Sequence, residues 1–594
     1  MNDPRPRLPK KLIVCCDGTW MDSDDGWVKG KWGKSGHLQT PSNVTRIARA
    51  IRSEDDARHP QVVYYQAGVG TGITLADQFI GGGTGLGLSE HIREAYTFLA
   101  TNYIDYDTDK TSQQDSIFLI GFSRGAFTAR SLGGLIGALG LLRKPALRYF
   151  YMIFKDWENA GAKDSEPLFF DYYRKQSGVR LTKDFDSKLQ SCIAKARVAT
   201  ADNVPSVNEY LKSYRDLLWS LGLTQKVMIQ CIGVWDTVGS LGIPVNPWVQ
   251  KKLRLPTTVH EYKWLDTSID NHVKNAFQAL ALDERRAPFS PSVWEKPEGC
   301  TTNLKQVWFP GVHSNVGGGY DDTGLADITL AWMMDQLSGP CPSSANNDPL
   351  AFDPLAWIAF DEDHIASMAR PRPAAPSAAP AWALGKIYNS LTFPQSLAGR
   401  TTRTPGRYHQ IHYDSGRAKR HARLRNTCER VHASVRVRVD LGGGSAGEEE
   451  GRGVFRRALD WVVDAWAAVF AARRRSGGRG GGAKYSAHLD GALRGWRLVD
   501  GHARHDSLAN ESIALDAATE ARVRWVFEGT ARERREGFVA PLEEDRLGRF
   551  ELQLLWSKEG KTVAELVAES NGGKIGVEEM RRVVERVGRR SRTA

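Results

Sequence analysis

Short apolar runs alternate with helical stretches from Lys11 to about Gln336, a rhythm typical of an α/β sheet. The first run, 12–16, is uniformly apolar and predicts a strand buried on both faces. Helices are predicted over 88–103, where apolar residues recur at spacings of three and four, and from 125 through Leu142. The predicted strands are 12–16, 62–65, 116–120, 227–234 and 304–309. We therefore expect an α/β fold: a mostly parallel sheet flanked by helices, with a helical insertion and a C-terminal extension.

The same patterns divide the chain. Residues 10–340 are expected to form one α/β domain, with the aromatic-rich, largely helical stretch 145–226 as a cap insertion. A Pro/Ala-rich linker region is expected over 341–410, followed by a basic C-terminal region over 411–594.

Two Gly-rich segments of the C-terminal region, near 442–453 and 476–482, are predicted to be disordered. Between them an apolar stripe runs from Phe455 to Phe470, interrupted by Asp460 and Asp464, and predicts an amphipathic helix. Docking on the protein's own core and binding at a membrane interface both remain open for this helix.

Composition indicates a globular protein, with 41% hydrophobic and 25% charged residues among 594, and no apolar stretch approaches the length of a membrane span. The net charge is +11, and residues 401–594 carry 37 Lys+Arg against 27 Asp+Glu, a net charge of +10. This positive charge leaves a peripheral membrane contact open. No nucleic-acid partner is expected, because no aromatic residues that could stack on bases lie between the Arg runs. The N-terminus lacks a secretory signal and the seven cysteines lack a CxxC pair, so a cytoplasmic location is expected.

The candidate nucleophile is Ser123, in Gly121-Phe122-Ser123-Arg124-Gly125. This is the G-x-S-x-G pattern of a strand-turn-helix elbow, in which glycines leave room beside a strained turn. An apolar strand precedes the pentapeptide and a helix follows it. That context makes the short motif specific.

The serine needs a base and an orienting acid, which in this fold follow it along the chain. His313 comes after the 304–309 strand, in a loop too rich in glycine to be a helix. Asp236, at the end of the 227–234 strand, is the preferred acid, and Asp283 and Asp327 are its rivals.

The oxyanion hole is expected to use the backbone N–H of Arg124 and a second N–H from the Asp17-Gly18-Thr19 turn, with Gly18 as the candidate. Asp17 either contacts substrate or ties down this loop, and the two roles are equally compatible with the sequence. Neither a cofactor nor a metal is expected.

Six ordered motifs lie along the chain at Cys16-Asp17-Gly18-Thr19-Trp20, Ser42-Asn43-Val44, 121–126, 234–238, 283–286 and 310–320. Together they resemble an uncharacterised α/β-hydrolase family, domain of unknown function 2235, which is similar to the catalytic domain of type VI secretion lipase effectors. The resemblance covers about residues 10–340, which are therefore expected to form an α/β-hydrolase-like catalytic domain. Two later blocks, 387–390 and 404–408, resemble the longer fungal members.

The resemblance implies a Ser-Asp-His hydrolase, with phospholipase activity in the secreted bacterial relatives. It places the nucleophile on Ser123, the base on His313 and the acid on Asp236. Asn315 is a departure, because bacterial relatives usually have Asp at that position. The expected substrate is a lipid or small-molecule ester.

Other functions compete with this hypothesis. Gly33-Lys34-Ser35 resembles the end of a P-loop, but the required upstream glycine is Val28, which argues against nucleotide binding. A catalytically silent hydrolase fold that acts as a binding or scaffold protein is the alternative. The carboxylates of Asp17, Asp22, Asp24 and Asp25 suggest a metal, but no histidine joins them and a solvated loop is the simpler interpretation.

Overall fold

The computed structural model describes the chain over part of its length. The described residues are 8–18, 27–28, 37–38, 40–68, 86–104, 114–162, 166–177, 182–200, 203–238, 268–339, 348–353, 383, 385–391, 399–411, 418–440, 492–494, 496–499, 524–528, 539–545, 547–548, 550–551 and 554. The predicted amphipathic helix and both predicted disordered segments lie outside these residues.

Strands begin soon after the N-terminus and continue far into the C-terminal region. In chain order they are β1 Lys11–Cys16, β2 Trp27–Val28, β3 His37–Leu38, β4 Gln61–Gln66, β5 Ser116–Phe122, β6 Leu141–Leu142, β7 Thr224–Gln225, β8 Ile229–Trp235, β9 Val273–Ala281, β10 Asn303–Phe309, β11 His409–Ile411, β12 Ala418–Arg423, β13 Glu429–His432, β14 Trp496–Val499, β15 Arg524–Phe527 and β16 Leu542–Asp545.

Helices occupy the connections between these strands. They are α1 Asn43–Ala50, α2 Leu86–Asn102, α3 Arg124–Leu139, α4 Phe150–Glu158, α5 Phe169–Ser177, α6 Lys183–Val198, α7 Val204–Ser220, α8 His313–Gly317, α9 Gly324–Ser338 and α10 Ala433–Asp440, with 3-10 turns at Lys144–Tyr149 and Ala287–Phe289. Among the described helices, none is both long and apolar enough to cross a bilayer.

A ten-stranded sheet forms the centre of the molecule, in the order β14-β15-β16-β13-β10-β9-β8-β5-β1-β4. Neighbouring strands pair in parallel along one side of this order, through β4, β1, β5, β8, β9, β10, β13 and β16. At the other edge β15 pairs antiparallel with β16, and β14 pairs antiparallel with β15. The predicted mostly parallel α/β sheet is confirmed. Strand β9, in its centre, was missed by the sequence patterns.

Both faces of the sheet are covered, which explains the uniformly apolar β1. Successive side chains of a strand point to opposite faces. Leu12 and Val14 pack in the core shared with α2 and α3, while Ile13 and Cys15 pack in the core shared with α1 and α9.

The helical insertion packs beside the sheet's helices. Phe150 of α4 stacks on Tyr96 of α2, with ring centroids 4.5 Å apart, and Arg215 of α7 donates to the carbonyl of Gly137 in α3 at 2.7 Å. Its aromatic residues pack mainly against each other and against these helices. Within the described part of the chain, no hydrogen bond or ring contact joins the insertion to the predicted catalytic residues.

The sheet also crosses the boundary predicted at residue 340. Strand β13 pairs with β10, and β16, β15 and β14 extend the sheet beyond it. A third core cluster joins Leu280 and Trp308 to Val431, Trp525 and Leu542. The C-terminal region therefore shares one sheet and one core with the strands of the 10–340 region.

Candidate active site

Ser123 lies in the turn between β5 and α3, with backbone angles φ 58° and ψ −120°. This positive φ is unfavourable for a residue with a side chain and marks a strained turn. The backbone N–H of Ser123 donates to the carbonyl of Trp235 at 3.0 Å, which ties the turn to the neighbouring strand β8. A side chain at Gly125 would collide with the carbonyl oxygens of Cys16 and Asp17, so only glycine fits there.

The elbow lies at the point where the strand order changes direction. From β1 the chain moves outward to β4 and then returns to the other side of β1 with β5. Ligands of open α/β sheets bind at this position, outside the carboxyl ends of the strands. Asp236 follows β8 and His313 comes shortly after β10, so both reach the same edge as Ser123.

Three predicted side chains form one hydrogen-bonded chain at this edge. The Nε2 atom of His313 lies 2.7 Å from the Oγ of Ser123, and its Nδ1 atom lies 2.6 Å from Oδ2 of Asp236. A carboxylate can only accept, so Nδ1–H donates to Asp236 and Nε2 is left to accept the serine proton. This is the hydrogen-bonding pattern of an activated serine nucleophile.

Aromatic rings fix the imidazole in place. Phe122 lies against His313 with ring centroids 4.7 Å apart, and Phe289 approaches it edge-on at 4.9 Å. The guanidinium of Arg286 in turn covers the ring of Phe289, 3.4 Å from its centroid. These contacts restrict the rotation of the imidazole and shield it from water.

Burial and neighbouring charge set the ionisation of the pair. Burial lowers the pKa of His313 below its ordinary value, and the hydrogen bond to Asp236 opposes this only in part. For Asp236 burial alone would raise the pKa, but the charge of Arg403 and the hydrogen bond from His313 together hold it well below its usual range. The resting site therefore combines a neutral imidazole with a carboxylate.

The rival acids are engaged elsewhere. Asp283 accepts the backbone N–H of Gly311 at 2.6 Å and so anchors the segment before His313. Asp327 forms a buried ion pair with Arg46 at 2.7 Å. Of the three candidate acids, Asp236 is the one that contacts the imidazole.

Asp17 is buried and holds the loop after β1. One of its oxygens accepts from Ser42, Thr45 and Tyr65 at 2.7, 2.8 and 2.7 Å, and the other accepts the backbone N–H of Gly18 at 2.6 Å. Burial raises the pKa of Asp17, although these hydrogen bonds oppose the change.

These contacts correspond to the second of the two roles open for Asp17, that of holding the loop in place. They also engage Gly18: its backbone N–H, which was predicted to serve in the oxyanion hole, already donates to Asp17. Arg124 is the first residue of α3, at the helix end where backbone N–H groups face outward, and burial lowers the pKa of its side chain to about 10. Thr19 lies outside the described residues.

The segment around His313 is a short helix, so the expectation of a non-helical loop was wrong. Helix α8 covers His313–Gly317, and Asn315 Oδ1 accepts the N–H of Val312 at 3.2 Å at its start. The glycines that suggested a loop end the helix instead, because Gly318 and Gly319 have φ of 88° and 101°.

Asn315, where bacterial relatives usually have Asp, forms hydrogen bonds through both the nitrogen and the oxygen of its side-chain amide. Its Nδ2 donates to the carbonyl of Lys386 at 2.9 Å, and its Oδ1 also accepts the N–H of Tyr388 at 3.4 Å. A carboxylate could not donate to a carbonyl. The amide thus links α8 to one of the later sequence blocks.

Two further residues of the site were not identified from the sequence. Glu284 is buried and accepts from the side chain of Arg286, from Ser390 and from the backbone N–H of His313. Burial opposes its ionisation, but Arg286 outweighs burial and lowers the pKa of Glu284 to about 2. Arg403 donates to both oxygens of Asp236. Both lie in or beside the quoted motif blocks, at 283–286 and 404–408, and that is the signal that could have found them.

Comparison with known proteins gives matches that include the following three. The catalytic domain of Tle1-like phospholipase effectors of the type VI secretion system matches residues 10–336. The uncharacterised protein YEL023C of Saccharomyces cerevisiae is 27% identical over 412 residues, covering 55% of this chain and 56% of the yeast protein. The structure of the Tle1 effector bound to the VgrG spike shares 16% identity over 53% of this chain and 52% of that chain, and its TM-score of 0.25 supports no structural conclusion. The chain thus spans about half the length of these relatives.

Proposed function

Because the chain belongs to the family of Tle1-like phospholipase effector catalytic domains, we propose that it is a serine hydrolase that cleaves carboxylic esters of lipids. The observation that carries the proposal is the hydrogen-bonded chain from Ser123 through His313 to Asp236. The family supports a lipase or phospholipase type of hydrolase. We add to this the serine mechanism and the preference for lipid esters.

In the first half-reaction the Oγ of Ser123 attacks the ester carbonyl while Nε2 of His313 takes the hydroxyl proton. Asp236 stabilises the imidazolium that forms and remains a carboxylate. His313 then gives the proton to the departing alcohol, and an acyl-enzyme is left on Ser123.

In the second half-reaction a water molecule replaces the alcohol. His313 takes a proton from the water, the hydroxyl attacks the acyl carbonyl, and the carboxylic acid leaves as the proton returns to Ser123.

The negative charge on the carbonyl oxygen requires hydrogen-bond donors. The backbone N–H of Arg124 fits this role, since it follows the nucleophile at the start of α3. The N–H of Gly18 can serve as the second donor only by giving up its bond to Asp17.

The helical insertion offers no contact to Ser123 among its described residues. Most of its aromatic residues are packed in the core beside α2 and α3, although Tyr151 and Tyr172 are exposed. The proposed lipid substrate therefore rests on the family and not on an acyl-binding surface in this insertion.

The test is fluorophosphonate labelling of the wild type and Ser123→Ala, together with hydrolysis of a chain-length series of esters. We expect labelling to disappear in the variant and turnover to fall by roughly 10³–10⁴-fold, since removal of one triad member leaves only binding and oxyanion stabilisation. Ser53→Ala, at an exposed serine, is the matched control and should label like the wild type.

Two results would contradict the proposal. One is near-wild-type turnover by Ser123→Ala. The other is a folded wild type that neither labels nor hydrolyses any ester, and this would favour the silent scaffold. A preference for long-chain esters would support the lipid substrate, while a preference for short soluble esters would remove it.

A further inference from the structure

A buried arginine from outside the family-matched segment contacts the acid of the active site. Arg403 lies 67 residues beyond the end of the match at residue 336, and its side chain is 1% exposed. We propose that Arg403 is a positioning residue that holds Asp236 in place and maintains its charge, so that the C-terminal part of the chain completes the active site. The inference rests on the proposed serine mechanism.

The guanidinium makes contacts that fix the carboxylate in one orientation. Its Nη1 and Nη2 donate to Oδ1 and Oδ2 of Asp236 at 2.5 and 3.0 Å. The same nitrogens donate to the carbonyls of Ala281 at 2.6 Å and Phe289 at 2.7 Å. A planar, bidentate group of this kind sets both the position and the plane of a carboxylate, which a single ammonium cannot do.

The charge of Arg403 has a second effect, because Asp236 is fully buried. A buried carboxylate without a positive partner tends to take up a proton. A protonated Asp236 would no longer stabilise the imidazolium of His313. An unpaired Asp236 carboxylate would instead favour the imidazolium at rest and leave less of the neutral base.

Other ionisable groups face the same pair and respond to Arg403 themselves. His313 faces Glu284 and Arg286, and Arg403 also faces Glu284 and Tyr408. The positive charge of Arg403 favours ionisation of both Glu284 and Tyr408, so the pKa of His313 is measured directly beside the pH profile of activity.

The segment that carries Arg403 is anchored on both sides. Before it, the N–H of Thr401 donates to the carbonyl of Arg285 at 2.8 Å. After it, the N–H of Gly406 donates to Glu429 of β13 at 2.8 Å, and Tyr408 stacks on Trp308 with ring centroids 6.1 Å apart. Arg403 is therefore positioned by the same sheet that positions His313.

The experiment compares Arg403→Gln, Arg403→Lys and Arg400→Gln in the full chain. Arg400 is exposed, so its change removes the same charge from the same segment without touching Asp236. The measurements are the pH profile of kcat/KM on a soluble ester, with kcat and KM separated, and the pKa of His313 from its ring ¹⁵N resonances, with thermal unfolding as the check of folding.

In the wild type the acid limb of the profile should lie below the ordinary histidine value of 6.5, because the base must be neutral and burial lowers its pKa. In Arg403→Gln the limb should move up by about 1 pH unit, because the loss of a nearby positive charge makes the Asp236–His313 pair easier to protonate, and the His313 resonances show which of the two groups takes the proton. The kcat should fall while KM changes little. In Arg403→Lys the limb should stay near its wild-type position with a reduced kcat, and Arg400→Gln should match the wild type.

Superimposed profiles for the wild type and a folded Arg403→Gln would overturn the inference. If Arg403→Gln does not fold, the outcome for Arg403→Lys decides. A reduced kcat with the acid limb at its wild-type pH supports the inference, and an unchanged kcat overturns it. A wild type that is inert toward esters removes the proposed function, and the His313 titration then tests Arg403 by itself.

Discussion

At the scale of single residues, the site depends on buried charges that are each matched by several donors. Asp17 accepts four hydrogen bonds, and Glu284 is held by Arg286 and by the backbone of α8. Asp236 accepts from His313, Arg403 and the N–H of Ala281 at 3.0 Å. Burying a carboxylate without such partners is costly. The partners therefore determine which carboxylate can serve as the acid.

A pair of substitutions distinguishes Asp236 from its rival Asp283 as the acid. Asp236→Asn should reduce kcat by about 10³–10⁴-fold, because an amide can no longer hold the required tautomer of His313. Asp283→Asn should reduce it less than about tenfold, since its side-chain oxygen can still accept the N–H of Gly311 and it does not contact the imidazole. Steady-state turnover of both variants on one ester provides the measurement. The opposite ranking would move the acid role to Asp283.

At the scale of elements, the proposed nucleophile Ser123 is presented by the close approach of two parallel strands and one helix. Gly121 and Gly125 lie so near each other that a side chain on Gly121 would come within 2.5 Å of the carbonyl oxygen of Gly125. Strand β1 adds a second restriction through the carbonyls of Cys16 and Asp17 beside Gly125. The positive φ of Ser123 is maintained by these contacts together with its hydrogen bond to Trp235.

A comparison of two glycines in α3 tests this account of the elbow. Gly125→Ala should abolish fluorophosphonate labelling or folding, because the new methyl group meets backbone oxygens of β1 that cannot move without shifting the strand. Gly133→Ala, in the same helix, meets the flexible tip of Ile232 at 2.8 Å and should remain folded and active. Labelling and thermal unfolding of both variants are the measurements. Wild-type labelling by Gly125→Ala would show that the elbow does not depend on this close approach.

At the scale of the whole molecule, the family-matched segment is only part of the folded unit. Beyond residue 336 the chain adds β13 to β16 to the central sheet and brings Arg403 to Asp236. Trp308 of β10 donates to Glu429 of β13 at 2.9 Å inside the third core cluster. The edge of the matched segment is therefore an interior position of the complete sheet.

A chain that ends at residue 340 should consequently fail to form a stable, active protein. It would expose β10, a strand of seven residues that ends in three apolar ones, as an edge strand, which favours aggregation, and it would leave Asp236 buried without Arg403. Size-exclusion chromatography and fluorophosphonate labelling, with the full chain as control, are the measurements. A monodisperse truncated chain that labels like the full chain would contradict both the structural role of β13 to β16 and the inference about Arg403.

The sequence by itself determined the class of fold and predicted the elbow at Ser123 and the base His313, but it left Asp236, Asp283 and Asp327 as candidate acids. These follow from local features: apolar runs specify strands, flanking glycines specify the turn at Ser123, and Asp236 and His313 each come shortly after a strand. The tertiary structure decided what depends on distant segments meeting. It engaged the N–H of Gly18 with Asp17, packed the aromatic insertion against α2 and α3, and paired Arg403 with an acid that precedes it by 167 residues. No local pattern encodes such a pairing, because it exists only once β8, β9 and the C-terminal strands lie in one sheet.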